Sequence, residues 1–258
     1  MEYYVVDAFA DAPFEGNPAS VCVPNDWPSD ERMQQIAAEN NLSETAFFVK
    51  EGDGYRLRWF TPAEEIDLCG HATLASAYVI RRFLSPSSAP VTFYTKSGIL
   101  MVRPQGDLYE LDFPAREPVP IDCPPALAQA LGAEPLETYL YRDLLVRVKD
   151  SDTVANLRPN MDALRQISGC KGFIITAEGH EFDFVSRFFA PELGVPEDPV
   201  TGSSHCVLVP YWAKQLQKTR LMARQLSRRG GTLLCQLAGN RVKIAGRATL
   251  YLKGEILA

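Results

Sequence analysis

Residues 58–62 read RWFTP, and half a chain length later residues 187–191 read RFFAP. Each stretch is followed by an acidic segment, then by a glycine, Gly70 or Gly202, and then by a run of small and apolar residues. One five-residue match can arise by chance, but the same features in the same order rarely do. The repeat therefore indicates an internal duplication, in which both halves of the chain adopt one fold.

The two apolar runs, at residues 70–83 and 202–215, predict the main helices of the chain. Neither run has a polar face, and a helix without one is buried. Pro210 is expected to kink the second helix, because proline lacks the N–H that an internal helical hydrogen bond needs. Short runs rich in β-branched and aromatic residues dominate the rest and predict strands.

A proline-rich stretch at residues 114–125 interrupts this pattern near the midpoint of the chain. Such a composition is typical of a linker. We therefore predict two domains, an N-terminal half at residues 1–115 and a C-terminal half at residues 118–258.

The composition argues against several classes of protein. The 258 residues carry a net charge of -6 with scattered basic residues, which disfavours nucleic-acid binding. We find neither a signal-peptide pattern nor an apolar run of the roughly 18 residues that a membrane span needs. The six cysteines and three histidines show no spacing typical of metal ligands. We expect a cytoplasmic protein with reduced thiols and no metal, nucleic-acid or membrane partner.

The two helix starts suggest where a substrate binds. The first turn of a helix has free N–H groups and a partial positive charge, and glycine lets a ligand approach them closely. We expect the starts at Gly70 and Gly202 to face each other between the halves and to hold a carboxylate. Gly70, Ala72, Gly202 and Ser204 are the predicted substrate contacts. Ordinary capping explains either start alone, but the matched pair favours a site.

Polar side chains near these starts are the candidates for chemistry. His71 lies in the first turn of the first helix, where the helix dipole is expected to disfavour its protonation. Asp198 can orient or accept a proton, and Ser203 can bind a carboxylate or a hydroxyl group. Both are also good capping residues. His205 lies further along the second helix and is expected to be a packed core residue.

Glu44 has no acidic counterpart in the second half of the repeat. It precedes the apolar residues 46–48, and the aligned position of the second half is Cys170. A carboxyl group among apolar neighbours is a usable general acid and base near neutral pH, because burial disfavours its charged form. A water-exposed glutamate at a strand edge is the alternative.

At these residues the chain resembles the phenazine-biosynthesis PhzF-like proteins, relatives of diaminopimelate epimerase and proline racemase. The matching stretches cover nearly the whole chain in order. They are VDAF (6–9), GNPA (16–19), SETAF (43–47), RWFTP (58–62), CGHAT (69–73), FAP (189–191), EDPVTGS (197–203) and RGG (229–231).

The resemblance implies a diaminopimelate epimerase-like fold, in which two similar domains each wrap a β-barrel-like sheet around a central buried helix. It also implies a homodimer without metal or cofactor. In PhzF itself a glutamate moves a proton between two carbons of a dihydro-hydroxyanthranilate. The positions that match its catalytic set are Glu44, His71, Asp198 and Ser203. Asn17, in the GNPA stretch, joins the predicted substrate-binding residues.

Three functions stay open at this point. The leading hypothesis is an isomerase acting on a small carboxylate-bearing substrate, cyclic or unsaturated. The racemase branch is the nearest rival, because its catalytic thiol matches Cys69. A two-thiol mechanism needs a second thiol near Val200, where valine cannot carry a proton, and Cys206 lies about a turn away. The third hypothesis is a binding protein that keeps the fold without turnover, which the presence of Glu44, Asp198 and His71 disfavours.

Overall fold

Eighteen strands and six α-helices make up most of the computed structural model, which describes residues 1–257. The first nine strands are β1 (Glu2–Ala8), β2 (Asn17–Val23), β3 (Thr45–Glu51), β4 (Gly54–Phe60), β5 (Glu65–Ile66), β6 (Val91–Thr95), β7 (Gly98–Gln105), β8 (Leu108–Pro114) and β9 (Val119–Pro120). The others are β10 (Glu137–Leu140), β11 (Leu144–Arg147), β12 (Phe173–Glu178), β13 (Phe184–Ala190), β14 (Val195–Asp198), β15 (Arg220–Gln225), β16 (Gly231–Ala238), β17 (Arg241–Gly246) and β18 (Ala248–Glu255).

The helices are few, so the predicted α+β class is confirmed. They are α1 (Asp30–Asn40), α2 (Gly70–Val79), α3 (Leu127–Leu131), α4 (Ser151–Asn156), α5 (Met161–Arg165) and α6 (Gly202–Leu216). A π-helical turn, Ile80–Leu84, extends α2. A 3-10 turn, Pro191–Leu193, follows β13. Among the described residues, no helix is both long enough and apolar enough to cross a bilayer.

The chain divides into two compact units, Met1–Asp112 with the segment from Ala245 onward, and Phe113–Ile244. The division at residue 112 lies near the predicted end of the first half at 115. The predicted second half, 118–258, differs from the structure because β18 belongs to the first unit. It pairs antiparallel with β1 along the whole strand, from Glu2 opposite Glu255 to Ala8 opposite Ala248. The predicted linker also differs, since β9 within it pairs with β10.

Each unit repeats one order of strand pairing. In the first unit β1 and β2 are antiparallel, β2 and β3 are parallel, β3 and β4 are antiparallel, and β4 and β6 are parallel. In the second unit the same sequence of orientations joins β10 to β11, β11 to β12, β12 to β13, and β13 to β15. This agreement supports the internal duplication that the sequence predicts.

The arginine of the repeated motif makes the same ion pair in each unit. Arg58 on β4 donates two hydrogen bonds to Glu65 on β5, of 2.7 and 2.8 Å. Arg187 on β13 donates two hydrogen bonds to Glu197 on β14, of 2.7 and 3.0 Å. Such bidentate pairs fix both distance and orientation. Each pair therefore holds a short return strand against its long neighbour, just before a buried helix begins.

Both apolar helices are buried, as predicted. All residues of α2 except Gly70 and Tyr78 are buried, and α2 packs against β1, β2 and β3. In α6 the buried stretch runs from Ser204 to Ala213. The helix continues through Pro210 to Leu216. Proline leaves the carbonyl of Cys206 without its helical donor, and the Arg116 N–H supplies one at 2.9 Å.

His205 is the packed core residue that the sequence predicts. It is fully buried in α6, and its Nδ1 donates to the carbonyl oxygen of Thr201 over 2.8 Å. Its ring lies 5.9 Å from the ring of Phe184. Its Nε2 is buried without a hydrogen-bond partner within residues 1–257. Burial lowers the pKa of His205 to about 4.

His205 should therefore make folding stability depend on pH. The unfolded imidazole titrates near 6.5, so its stabilising effect is complete above that pH and is lost as the pH falls towards 4. The full difference corresponds to about 3 kcal/mol. His205→Asn keeps a side-chain donor near Thr201 but cannot titrate. Between pH 7 and pH 5, urea unfolding should show a loss of about 2 kcal/mol in the parent protein that the variant lacks. Equal losses in both proteins would contradict this assignment.

Candidate functional site

The start of α2 carries the densest cluster of reactive side chains in the first unit. Cys69 is the N-cap residue, with an extended backbone at φ −141° and ψ 113°. The Thr73 N–H donates to the Cys69 carbonyl oxygen over 3.2 Å, which makes the first hydrogen bond of the helix. The N–H groups of residues 70–72 precede that bond and are the orphan donors of the helix start.

His71 lies at the centre of this cluster. Its Nε2 is 3.1 Å from Oε2 of Glu44, and its Nδ1 is 3.3 Å from Nδ2 of Asn17. The Cys69 Sγ atom lies 3.5 Å from Nδ1. The His71 side chain is only 6% exposed, so these neighbours control its charge and orientation.

Glu44 reaches His71 from the turn before β3. The Ser20 N–H of β2 donates to the Glu44 carbonyl oxygen over 3.2 Å, which continues the parallel pairing of β2 with β3. The Glu44 side chain is 17% exposed. Its Oε2 is buried and accepts no hydrogen bond of good geometry within the described residues, although it is at ion-pair distance from His71. Glu44 is thus held at the boundary between the protein interior and solvent.

The charge of His71 differs from the sequence-based expectation. Burial acts to lower the pKa of His71, but the adjacent Cys69 and the Glu44 carboxylate raise it more, so the pKa lies well above 6.5. We attribute the net rise to Glu44, because burial raises the pKa of the Cys69 thiol and keeps it neutral. The expectation that the helix dipole keeps His71 neutral is therefore wrong. A carboxylate 3.1 Å away outweighs the partial charge of a helix end.

Asn17 is fully buried at the start of β2 and contacts His71. This placement makes it a positioning residue for the imidazole. Gly70 is half-buried and Ala72 is buried at the helix start. Whether these residues contact a substrate stays a prediction.

The strand register corrects the alignment of Glu44 with Cys170. Thr45 is opposite Phe60 in the first unit, and Phe173 is opposite Phe189 in the second. Glu44 therefore corresponds to Gly172, whose carbonyl oxygen accepts the Leu144 N–H over 2.8 Å in the same way. A Cβ atom on Gly172 would lie 2.5 Å from the ring of Phe188. An aromatic ring thus fills the space that the carboxylate side chain uses in the first unit.

The start of α6 in the second unit is held by the predicted Asp198 together with Thr201 and with Gln225, which the sequence did not indicate. Thr201 is its N-cap, and the Thr201 N–H donates to Oε1 of Gln225 over 2.9 Å. Nε2 of Gln225 donates to the Asp198 carbonyl oxygen over 2.7 Å, and the Thr201 hydroxyl donates to the Asp198 carboxylate. Gln225 lies 24 residues beyond Thr201, and no local motif connects the two.

The remaining predicted residues lie in the first turn of α6. Ser203 is half-buried there. The Ser204 hydroxyl donates to the Thr201 carbonyl oxygen over 2.8 Å, and Gly202 is buried. Counted from the two glycines, the equivalent of Cys69 is Thr201 rather than Val200. A second thiol is still missing from that position, because Thr201 carries a hydroxyl group. The expectation that both helix starts serve one ligand remains a prediction.

Solved structures share this fold. A phenazine biosynthesis protein of the PhzF family from Enterococcus faecalis has a TM-score of 0.98 and 50% identity, covering 100% of this chain and 99% of that chain. A hydroxyproline epimerase from Agrobacterium vitis has a TM-score of 0.66 and 11% identity, covering 98% of this chain and 91% of that chain. The second likeness extends the shared fold to an epimerase.

Sequence relatives indicate the kind of protein. An uncharacterized isomerase of Pseudomonas aeruginosa is 52% identical over 256 residues, covering 99% of this chain and 98% of the relative. An uncharacterized isomerase of Halalkalibacterium halodurans is 47% identical over 259 residues, covering 98% of this chain and 97% of the relative. These names support an isomerase-type enzyme. The family model described as phenazine biosynthesis-like protein matches residues 6–254. The chain belongs to the PhzC-PhzF family.

The Glu44–His71 contact predicts a measurable shift. Glu44→Gln keeps the side-chain shape but removes the negative charge, so the pKa of His71 should fall. Imidazole NMR signals followed through a pH titration measure this directly. Glu64→Gln is the matched control, because Glu64 is exposed, and it should leave the His71 titration unchanged. If His71 titrates identically in the Glu44→Gln variant, Glu44 is not what raises its pKa.

Proposed function

We propose that the protein is a cofactor-independent isomerase that moves a proton between carbons of a small carboxylate-bearing substrate, with Glu44 as the acid and base. The observation that carries the proposal is the placement of Glu44. Its carboxylate is 17% exposed and lies 3.1 Å from His71 at the start of a buried helix. A base held at such a boundary can reach a substrate while most of the surrounding water is excluded.

In this proposal Glu44 removes a proton from one carbon of the substrate, and the electron pair shifts along the adjacent double bond. The same carboxyl group then returns the proton to a second carbon, so the double bond moves and no atom is gained or lost. His71 holds the carboxylate in position through its Nε2 and balances its charge. Asn17 fixes the imidazole when its amide is turned so that its oxygen, rather than Nδ2, faces His71 and accepts the Nδ1–H. A single carboxyl group serves both steps when proton removal and return occur on one face of the substrate.

Further elements of the proposal rest on the family resemblance. Asp198 and Ser203 complete the catalytic set, and the N–H groups at Gly70 and Gly202 bind the substrate carboxylate. Each half has a β-barrel-like sheet around its buried helix, and the protein acts as a homodimer in the cytoplasm. The substrate is cyclic or unsaturated, because the proton must leave a carbon next to a conjugated system.

Glu44→Gln should abolish proton exchange but leave substrate binding nearly intact. Positioned acid–base catalysis is typically worth about 10²- to 10⁴-fold, and the variant should lose a factor in that range. Deuterium incorporation from heavy water into small unsaturated carboxylic acids, including a dihydro-hydroxyanthranilate, is measured by NMR. The dissociation constant is measured in parallel. Glu64→Gln should exchange at the parent rate. Undiminished exchange in Glu44→Gln would remove Glu44 from the mechanism.

An epimerase is the second candidate, because the Cys69 thiol lies 3.5 Å from His71 in the same cluster. In that case Cys69 is the base, and Cys69→Ala should lose exchange by about 10²-fold or more. Under the leading proposal Cys69→Ala should retain exchange within about tenfold, since Glu44 is still present. The same assay with saturated amino and hydroxy acids distinguishes the two reactions by which substrate class takes up deuterium.

A further inference from the structure

The cluster at the start of α2 combines three side chains that are also metal ligands. One ligand atom from each of Glu44, Cys69 and His71 lies within 4.8 Å of the other two. A thiolate, an imidazole and a carboxylate together suit borderline divalent ions such as Zn²⁺, whereas Mg²⁺ and Ca²⁺ prefer oxygen ligands alone.

The cluster is compact enough to close around a small tetrahedral ion when the Cys69 side chain moves. Tetrahedral Zn²⁺ with ordinary bond lengths places its sulfur, nitrogen and oxygen ligands about 3.3 to 3.6 Å apart. Here His71 Nε2 is 3.1 Å from Glu44 Oε2 and 4.0 Å from Cys69 Sγ. Sγ lies closer to Nδ1, at 3.5 Å, than to Nε2, so the Cys69 side chain must turn to another χ1 rotamer before its sulfur can share an ion on Nε2 with Glu44.

The surroundings also suit an ion. The buried Oε2 of Glu44 accepts no hydrogen bond of good geometry within residues 1–257, so an ion on Nε2 of His71 would replace only its charge contact with the imidazole. The other ring nitrogen of His71 faces the Asn17 amide at 3.3 Å, and a flip of that amide would present its oxygen to Nδ1–H. Outer contacts of this kind fix a ligating histidine. The partial exposure of Glu44 gives a path from solvent.

We propose that Glu44, Cys69 and His71 form a binding site for a thiophilic divalent ion such as Zn²⁺, with the fourth coordination position open. Binding releases two protons to solvent, one from the Cys69 thiol, which becomes a thiolate, and one from Nε2 of the His71 imidazolium, which becomes a neutral ligand. The metal site does not depend on the proposed function. Its effect on turnover rests on the proposed function: an ion held by Glu44 and His71 occupies the proposed proton carrier, so Zn²⁺ should inhibit turnover reversibly.

The test uses Co²⁺, because tetrahedral cobalt absorbs visible light and a cobalt–thiolate bond adds a near-ultraviolet charge-transfer band. All proteins carry Cys123→Ser, since Cys123 is an exposed thiol. The parent should bind one Co²⁺ per chain with both signals, and Zn²⁺ should abolish them. Cys69→Ser should lose the charge-transfer band. Cys22→Ser removes another buried thiol of the same unit and should keep it.

Glu44→Gln provides a second variant, whose altered side chain is partly exposed and so tests the site even if Cys69→Ser fails to fold. Loss of an outer-sphere partner alone typically weakens metal binding 10- to 100-fold, so loss of this ligand should weaken Co²⁺ binding by at least about tenfold. Absence of a tetrahedral cobalt spectrum in the parent, or a charge-transfer band that persists in Cys69→Ser, overturns the site.

The same samples separate the two proposals. If no acid exchanges deuterium with the metal-free protein, the proposed function fails, while the cobalt spectra still decide the metal site. If exchange occurs and Zn²⁺ slows it in the parent but not in Cys69→Ser, the inhibitory role is supported. Exchange that is unaffected by saturating Zn²⁺ contradicts that role.

Discussion

In each unit the position at which the buried helix starts depends on one bidentate arginine–glutamate pair. Arg58 on β4 and Arg187 on β13 each donate hydrogen bonds to a glutamate on a following short strand, which has two residues in the first unit and four in the second. A strand that short has little stability of its own. The Arg187 side chain is mostly buried and also donates to the backbone carbonyl of Leu157, so losing its glutamate would leave a desolvated charge. The pair thus determines where the chain turns towards the glycine that begins α2 or α6.

This dependence explains why the repeat could be recognised in the sequence. Arginine, the acidic residue and glycine each do something that few other residue types can do, so they stand out from the apolar background. The burial of α2 and α6 could be predicted for a similar reason, because neither helix has a polar face. The membership of β18 in the first unit could not. Its partner β1 lies at the opposite end of the chain, and many alternating strands fit an edge equally well.

The site was predictable in its residue types more than in its electrostatics. Glu44 and His71 are 27 residues apart, and the packing of α2 against β2 and β3 brings them to 3.1 Å. The raised pKa of His71 follows from that contact, so a prediction based only on the dipole of its own helix gave the wrong direction for the pKa shift. Gln225 was missed because an uncharged side chain in a strand has no distinctive pattern. The alignment of Glu44 with Cys170 failed because spacing alone cannot locate the insertion that strand register reveals.

The pairing of β18 with β1 also has a consequence for the order in which the protein acquires its structure. The second unit, Phe113–Ile244, is one continuous segment, whereas the first needs β18, which follows the second unit in the chain. During synthesis the edge of β1 that pairs with β18 stays unpaired while the whole second unit is made. Nascent chains usually fold from the N-terminus onward. Here the unit that carries Glu44 and His71 can complete its sheet only after the whole second unit has been synthesised.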